Sequence, residues 1–547
     1  MTTTVGRPPE RPELAPTELT TPAEAPSAPA GVPPPPVRAR RLVLLATFVC
    51  AACGLVYELA LITLGAYLTG SSITQTSVVI GVVMASMGLG ALAVKPLLRW
   101  PVAAFAAVEI SLGLLGALSV PALYAAFAWL NLYTPVMLVA SALVGGLIGA
   151  EVPLLMALVQ RVRRQEASGA VADLSAADYG GALVGGLAFP FLLLPSLGLL
   201  QGALVVGALN LATAGLVVGW VFRRSLSGRA HLAVMVACAS GLALLGAGAA
   251  LAGTFEVTAR QRLYRYPIVH AERSPYQEIV LTSAPVDGWR DRDLRLYLDG
   301  DLQFSSLDEH RYHESLVHPA LAGDRNRVLV LGGGDGLALR EVLRYPDVEQ
   351  VTLVDLDPAV VQLARTHPAL SALNEGAFAD PRVEVVAADA FTWARGYEGA
   401  PFDVVLVDLP DADTTETAKL YTVEFYGLVG RLLADGGRAA VQAGSPFFAP
   451  TSYWSVVAAV EEAGLSSVPY HVDVPSFGDW GFVLAGPGPA PPSLALAGAT
   501  PELRFLTPEV LRAATVFAPD RVPGSVEAST LLDPVILEYQ RREWIGY

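Results

Sequence analysis

The sequence predicts a multi-span α-helical membrane domain and an α/β domain with a parallel sheet, separated by a small β segment. Of the 547 residues, 53% are hydrophobic and 16% are charged, and the mean hydropathy is +0.47, which is typical of membrane proteins. Long apolar runs fill residues 42–253, and strand-like and helix-like segments alternate from residue 328. Such alternation indicates a sheet covered by helices on both faces.

The chain is long enough for several domains, and its composition changes at three points. Residues 1–37 are rich in Pro and Ala and poor in large apolar side chains, so we expect a disordered tail. This tail lacks the features of a signal peptide, and we expect the chain to be retained by the cell. We assign 38–253 to the membrane domain, 254–327 to the β segment with acceptor-side residues, and 328–547 to the α/β domain with a C-terminal extension.

About seven apolar runs in the membrane domain are long enough to cross a bilayer, which takes about 20 residues. They lie near 42–68, 77–94, 102–124, 135–158, 178–195, 198–221 and 232–253. The glycine pairs at 180–181 and 185–186 suit close helix packing in lipid. The runs predict a multi-pass protein of the cell membrane.

Four ionisable residues, Glu58, Glu109, Glu151 and Asp178, lie within or beside the apolar runs. A carboxylate at membrane depth is costly and suggests a functional site. A carboxylate near a helix end, paired or protonated in the bundle, is an equally good interpretation. Cys50 and Cys53 form a CxxC pattern that we attribute to helix packing rather than redox chemistry. We identify no cluster of metal ligands.

The α/β domain opens on the stretch VLVLGGGDGLALREVL, residues 328–343, in which a glycine-rich loop joins a strand to a helix. Such loops bring backbone N–H groups close to a ligand. The dinucleotide fingerprint requires a glycine where this chain has Leu337. The spacing Gly332, Gly334, Gly336 is instead typical of AdoMet-type Rossmann-like folds.

Acidic residues follow the next three predicted strands, at the edge where ligands bind such sheets. Asp355 could accept hydrogen bonds from ribose hydroxyls, and Asp389, followed by Ala390, could hold an adenine amino group. Asp408 and Asp411 follow the fourth strand. A single Asp could be a helix N-cap, but acids at successive strand ends favour a ligand site.

Asp335, within the glycine loop, would repel the carboxylate of ordinary AdoMet. Decarboxylated AdoMet ends in an aminopropyl ammonium group, which Asp335 would attract. Together with Asp408 and Asp411, the loop predicts an acidic pocket for amines.

The sequence resembles the polyamine aminopropyltransferases, which include the spermidine synthases. The matching stretches are SPYQEIVL (274–281), LYLDGDLQFSSLDEHRYHESLVHPAL (296–321), the glycine loop, VTLVDLDP (351–358), AADAF (387–391), DVVLVDLPDAD (403–413) and KLYTVEFY (419–426). The stretch PYHVDVPSFGDWGFVLA (469–485) resembles the branch of that family with a fused multi-span N-terminal region.

The resemblance implies aminopropyl transfer from decarboxylated AdoMet, a co-substrate, to a diamine or polyamine, with putrescine to spermidine favoured. Asp408 would be the proton acceptor. The donor would contact Gln277, Asp335, Asp355, Asp389 and Ala390. The acceptor side would comprise His313, Gln303, Tyr312, Asp411, Tyr421 and Tyr470. No cofactor or metal is implied.

The chain departs from the family pattern around the second acid, because Leu409-Pro410 separates Asp408 from Asp411 and Ala412-Asp413-Thr414 follows it. This leaves the identity of the acceptor amine open.

Two alternative functions remain: a methyltransferase on the same fold, and a membrane transporter or sensor whose appended domain binds polyamines without turnover. The net charge of −15 argues against a nucleic-acid partner. The expected partners are the nucleoside, the amine and the bilayer, and assembly into a homo-oligomer is left open.

Two arguments conflict over the side of the membrane that the α/β domain faces. Basic clusters flank the spans at Arg38–Arg41, Lys95–Arg99, Arg161–Arg164 and Arg223–Arg229, and the positive-inside rule assigns all of them to the cytoplasm. Seven spans would then leave the α/β domain outside, away from its donor. A re-entrant segment at 178–195 would resolve the conflict. On this basis we predict a cytoplasmic α/β domain.

Overall fold

The computed structural model describes residues 37–69, 73–162, 167–285 and 292–544. Apart from residue 37, the predicted disordered tail lies outside the described residues, as do Arg163 and Arg164.

The N-terminal part of the described chain is a bundle of long helices. They are α1 (Val37–Thr69), α2 (Ile73–Ala93), α3 (Pro101–Ala125), α4 (Tyr133–Val162), α5 (Ala167–Ala188), α6 (Leu194–Leu216) and α7 (Gly228–Leu263). By length and composition, six helical segments could cross a membrane, and one of them, Val171–Val221, contains both α5 and α6. Within that segment Gly198 has a φ of 70° and interrupts the helix.

Two apolar clusters define the ends of the bundle. The distal cluster includes Val43, Val102, Val159 and Phe222, and the proximal cluster includes Leu64, Tyr124, Tyr133 and Phe255. The proximal end adjoins the rest of the chain, because α7 runs through it to Leu263.

Helices α5 and α6 both extend the full length of the bundle. Leu174 of α5 lies in the distal cluster, and Phe189, just after α5, lies in the proximal cluster. Val206 of α6 is proximal, and Val217, just after α6, is distal. The prediction of a re-entrant segment at 178–195 is therefore wrong. Gly198 produces a turn between two complete helices rather than a loop that returns halfway.

Glycines allow the helices to pack in close contact. A Cβ atom at Gly149 would lie 1.9 Å from the carbonyl oxygen of Met87, and one at Gly181 would lie 2.0 Å from that of Phe48. Gly145 and Gly185, four residues away in each case, are comparably close to Val83 and Ala52. This small-xxx-small packing holds α4 against α2 and α5 against α1.

A four-stranded antiparallel sheet follows the bundle, with strands β1 (Ile268–Arg273), β2 (Glu278–Pro285), β3 (Arg292–Leu298) and β4 (Asp301–Ser305) in sequential order. The sequence predicted strands at 276–281 and 294–299, which correspond to β2 and β3. It missed β1 and β4. Strand β1 is mostly exposed, so its residues lack the apolar alternation on which strand prediction depends.

Residues 309–544 form a Rossmann-like α/β domain, which confirms the predicted fold of this part. Its helices are α8 (Glu309–Val317), α9 (Leu337–Leu343), α10 (Pro358–Thr366), α11 (Pro368–Leu373), α12 (Ala390–Gly396), α13 (Thr415–Ala418), α14 (Val423–Leu432), α15 (Pro450–Glu462), α16 (Pro508–Ala514) and α17 (Val535–Trp544). Its strands are β5 (Arg327–Gly332), β6 (Gln350–Asp355), β7 (Val383–Ala387), β8 (Phe402–Asp408), β9 (Leu433–Gln442), β10 (Leu465–Val474) and β11 (Gly478–Pro487).

The seven strands are ordered β10-β11-β9-β8-β5-β6-β7. Strands β5 to β9 are parallel, and β10 and β11 form an antiparallel edge. Buried apolar side chains cover both faces, as expected for a sheet between helix layers. The carboxyl ends of β8, β5, β6 and β7 therefore lie side by side in that order.

The proximal end of the bundle contacts the small sheet at the start of β2. Glu278 accepts a hydrogen bond from the Tyr67 hydroxyl and forms an ion pair with Arg260, whose Nε lies 3.0 Å from Oε1. The Arg273 guanidinium lies 4.8 Å from the centre of the Tyr67 ring. The bundle is thus joined to the residue directly after Gln277, one of the predicted donor contacts.

Candidate active site

The sheet order brings the predicted acids to one edge. Asp408 ends β8, the glycine loop follows β5, Asp355 ends β6, and Asp389 lies just beyond β7. Gly332 pairs with Asp408 across the sheet, and Asp355 pairs with Ala387. Residues that are far apart in sequence therefore form a single row at the carboxyl ends of the strands.

The glycine loop fits tightly between two of these acids. Gly332 has a φ of 83°, and a Cβ atom there would lie 2.0 Å from the carbonyl oxygen of Asp408. A Cβ atom at Gly334 would lie 2.6 Å from Oδ2 of Asp355. Only glycine fits these two positions without displacing the acids.

Asp335 occupies the middle of the loop and accepts a hydrogen bond on Oδ1 from the backbone N–H of Leu337, at 2.8 Å. It thus helps to cap α9, in addition to any role in binding. Burial raises the pKa of Asp335 to about 6, against the opposing effect of the positive charge on His313. The carboxylate is ionised above that pH and available to a cation.

Asp408 accepts a hydrogen bond on Oδ1 from the Tyr312 hydroxyl, at 2.6 Å. Its Oδ2 is near the glycine loop, 3.2 Å from the position of a Cβ atom at Gly333. Burial raises the pKa of Asp408, and His313 and the Tyr312 hydroxyl oppose that shift. A carboxylate with a raised pKa is a stronger base than an exposed one.

His313 is buried beside these acids and is held in its charged form. Its Nδ1 lies 2.9 Å from Oε2 of Glu309, whose carboxylate also binds both terminal nitrogens of Arg340. Burial opposes charging, but the contact with Glu309 raises the pKa of His313 to about 9. His313 therefore contributes a positive charge to an otherwise acidic pocket.

Asp355 and Gln277 come together through Asp357. Oδ1 of Asp355 accepts the Asp357 N–H at 2.8 Å, and Gln277 Nε2 donates to Oδ2 of Asp357 at 3.0 Å. Burial raises the pKa of Asp355 to about 6. The structure thus brings Gln277, from the small sheet, to the end of β6.

Asp389 is the N-cap of α12, accepting hydrogen bonds from the backbone N–H and the hydroxyl of Thr392. Its other oxygen accepts from Lys419 Nζ at 2.8 Å. Partial burial favours the neutral form, but these hydrogen bonds lower the pKa of Asp389 below its ordinary value. Ala390 is the first residue of α12, so its N–H has no partner within the helix.

Asp411 lies in the loop after β8, which Tyr421 and Gln442 hold in place. The Tyr421 hydroxyl donates to the Pro410 carbonyl at 2.8 Å, and Gln442 Nε2 lies 2.6 Å from that hydroxyl and 3.2 Å from Oδ1 of Asp411. Burial raises the pKa of Asp411 to about 6. Asp411 and Tyr421 both line a small cavity.

Tyr470, which was predicted to flank the acceptor channel, points into the core instead. Its side chain is fully buried and stacked on Phe482, and its hydroxyl donates to the Ser315 carbonyl at 2.8 Å. Phe482 in turn contacts Tyr312, with ring centres 5.3 Å apart. Tyr470 thus supports Tyr312 from behind, because the packing of β10 against α8 turns its ring into the core.

Comparisons with known proteins agree with this geometry. A family described as "Spermine/spermidine synthase domain" matches residues 309–489. Polyamine aminopropyltransferase 1 of Streptomyces coelicolor is 57% identical over 510 residues, which cover 93% of this chain and 96% of the relative. The polyamine aminopropyltransferase of Mycobacterium tuberculosis is 51% identical over 516 residues, which cover 93% of this chain and 97% of that relative. The chain belongs to the polyamine aminopropyltransferase family.

These matches to aminopropyltransferases extend over the helical bundle as well as the α/β domain, because they cover nearly the whole chain. Among solved structures, a spermidine synthase in complex with the transition-state analogue AdoDATO is 27% identical, with a TM-score of 0.42. The match covers 46% of this chain and 85% of that chain.

Three residues at or near the candidate site were not predicted from the sequence. Gln442 binds the Asp411 loop. Trp480, whose buried indole N–H has no partner among the described residues, contacts Phe477, which in turn contacts Tyr312. Asp301 lies at the pocket rim, where burial and the charges of Asp413 and Asp411 raise its pKa to about 7. The DGD motif at 299–301 was visible in sequence, but only the fold brings Asp301 to the acids that follow β8.

Proposed function

We propose that the α/β domain transfers the aminopropyl group of decarboxylated AdoMet to a diamine, with putrescine to spermidine as the main reaction. The observation that carries this proposal is the juxtaposition of Asp408, Asp335 and the glycine loop at one sheet edge. A nucleoside at the loop would direct its aminopropyl group toward Asp335 and Asp408. Family membership supports the same reaction.

In the proposed reaction the amine nitrogen attacks the aminopropyl carbon attached to sulfur. The new C–N bond forms as the C–S bond breaks. The electron pair of the C–S bond stays on sulfur and converts the sulfonium into neutral methylthioadenosine. The attacking amine has an unperturbed pKa of about 10, so it must lose a proton before it reacts. Oδ2 of Asp408 would accept that proton, because Oδ1 is already bonded to Tyr312.

The donor would be held by groups from both sheets. Asp355 would bind the ribose, Gln277 would lie beside it, and the N-terminus of α12 at Ala390 would face the adenine. Asp389 already accepts hydrogen bonds from Thr392 and Lys419, and it would hold the adenine amino group while keeping those contacts. Asp335 would bind the aminopropyl ammonium, with His313 balancing the charge of the acids.

The acceptor would lie between Asp408 on one side and Asp411 and Asp301 on the other. Asp411 would bind its remote ammonium, and Gln303, whose side chain donates to the Asp301 carbonyl, would lie on the same side. Tyr312 and Tyr421 would shape the channel that the amine enters.

The test of the proposed function is release of methylthioadenosine by the purified chain, supplied with decarboxylated AdoMet and either putrescine, cadaverine or spermidine. We expect the highest kcat/KM with putrescine, and no release with any of the three amines would contradict the proposal.

A methyltransferase would use AdoMet itself, and the buried Asp335 carboxylate argues against that donor. A sensor would bind both substrates without releasing methylthioadenosine. The same assay separates all three functions, provided AdoMet is also supplied and S-adenosylhomocysteine, the product of methyl transfer, is measured beside methylthioadenosine.

We expect the KM for the amine to rise at least about tenfold as the pH falls from ~8 to ~5.5, by protonation of the acids. The pKa values of Asp411 and Asp301 are raised to about 6 and about 7, so both lose their charge in this window. In Asp301→Asn the part of the KM rise that occurs near pH ~7 should disappear, because the group with a pKa of about 7 is gone. Initial rates over a pH series check this, and a flat KM would contradict it.

We further propose that the bundle lies in the cell membrane with the α/β domain on the cytoplasmic side, where the donor nucleoside is made. Arg262 and Arg265, next to that domain, support this side. The basic residues at the distal end, including Arg99, Arg161 and Arg224, favour the opposite orientation. Since α5 and α6 both run the full length of the bundle, a re-entrant segment no longer removes that conflict. The cytoplasmic assignment therefore rests on the supply of the donor nucleoside rather than on the positive-inside rule.

A pair of single cysteines tests this orientation, in a background with the three native cysteines replaced by Ala. Asp435 is exposed on the α/β domain, and Ser225 is exposed at the distal end. With an impermeant maleimide on intact cells, we expect Ser225→Cys to be labelled and Asp435→Cys to be labelled only after permeabilisation. The reverse pattern would place the α/β domain outside.

A further inference from the structure

Three side chains from three different helices meet inside the bundle. Cys50 of α1, Glu109 of α3 and Glu151 of α4 are all buried, and their ligand atoms lie within 4.8 Å of one another. No sequence motif connects them, because they are separated by 59 and 42 positions. Only the packing of α1, α3 and α4 against one another makes them a cluster.

The cluster contains a buried carboxylate, Glu109, without a cationic partner among the described residues. Neither oxygen of Glu109 accepts a hydrogen bond of ordinary geometry from the described residues, although its side chain is fully buried. None of the ion pairs within the described bundle includes Glu109 or Glu151; Arg40 pairs with Asp173 and Arg260 with Glu256 and Glu278. Buried carboxylates are normally paired or bound to a metal.

A second buried side chain nearby also lacks partners among the described residues. Asn210 of α6 is fully buried, and neither atom of its amide is hydrogen-bonded. Its Cβ lies 3.2 Å from the position of a Cβ atom at Gly113, one turn along α3 from Glu109. The region thus holds an unpaired acid and an unpaired amide where hydrogen-bonding groups are usually satisfied.

We propose that Cys50, Glu109 and Glu151 bind a divalent metal ion of the zinc class. A thiolate with two carboxylates suits a borderline cation such as Zn²⁺, whereas Mg²⁺ and Ca²⁺ prefer oxygen ligands alone. The metal replaces the thiol proton and offsets two of the three negative charges of its ligands, so binding releases protons and strengthens as the pH rises. The ion joins α1, α3 and α4 and stabilises the bundle. The proposal is independent of the aminopropyl transfer reaction.

Cysteine variants test the site in the purified full-length chain. Cys53 lies one turn from Cys50, is equally buried and donates to the Val206 carbonyl at 3.8 Å. Since Cys238 is the third cysteine, the double variant Cys53→Ser/Cys238→Ser leaves Cys50 as the only thiol. After removal of metal by a chelator, we expect it to take up about one Zn²⁺ or Co²⁺ per chain. The cobalt form should show a thiolate charge-transfer absorption.

Adding Cys50→Ser to that double variant should abolish the cobalt–thiolate absorption. Glu109→Gln, which preserves shape, should weaken zinc binding at least about 100-fold, beyond the 10–100-fold effect of losing an outer-shell partner. Methylthioadenosine release and gel filtration check that each variant is folded. Absence of the absorption in the folded double variant, or undiminished zinc binding by folded Glu109→Gln, would overturn the proposal. If Glu109→Gln does not fold, the cobalt spectrum of the double variant decides alone.

Discussion

Asp408→Asn should lower kcat for methylthioadenosine release about 10³-fold, within the 10²–10⁴-fold range of general acid–base catalysis. An amide cannot accept the proton of the attacking amine. Its oxygen can still accept the hydrogen bond from Tyr312, so the local structure should persist. Binding of decarboxylated AdoMet, measured by calorimetry, should change by no more than a few fold.

The matched control is Asp403→Asn on the same strand. Asp403 lies near the other end of β8, where it accepts a hydrogen bond from the backbone N–H of Arg327 at 2.9 Å. We expect this variant to retain nearly full kcat, because an Asn side chain can accept the same bond. If Asp408→Asn turned over as fast as Asp403→Asn, Asp408 would not be the base.

The sequence was sufficient to predict the row of acids at the sheet edge. Each acid ends an apolar run of strand length or lies within three residues of its end, and parallel strands bring their carboxyl ends to one side. This local rule located Asp335, Asp355, Asp389 and Asp408 without knowledge of the strand order. It applies because β5, β6, β7 and β8 are parallel and an acid lies at or just beyond the carboxyl end of each of them.

Features that depend on packing between distant segments could not be predicted in this way. The resemblance to the family placed Tyr470 on the acceptor side, but the packing of β10 on α8 turns it into the core. Asp301 meets Asp411 only through the approach of the small sheet to β8. The cluster around Cys50 requires three helices in their final register.

The second large effect concerns the choice of donor. Asp335→Asn should reduce the preference for decarboxylated AdoMet over AdoMet by about ten- to hundredfold, since a hydrogen bond to a charged group contributes about 1.5–3 kcal/mol. The variant loses attraction for the aminopropyl ammonium and also repulsion of the AdoMet carboxylate. Competition binding of the two nucleosides at a pH above ~7, where the pKa of about 6 leaves Asp335 ionised, measures the ratio.

Asp355→Asn provides the control, because a residue that binds the ribose contacts both nucleosides equally. It should weaken both and leave their ratio unchanged. In Asp335→Asn the new amide oxygen can still accept the Leu337 N–H, so the cap on α9 survives and only the charge is lost. If the ratio stayed constant in Asp335→Asn as well, the acid would serve only as that cap. The positive charge of His313 could not supply the preference in its place, because that charge would attract the AdoMet carboxylate and favour the other donor.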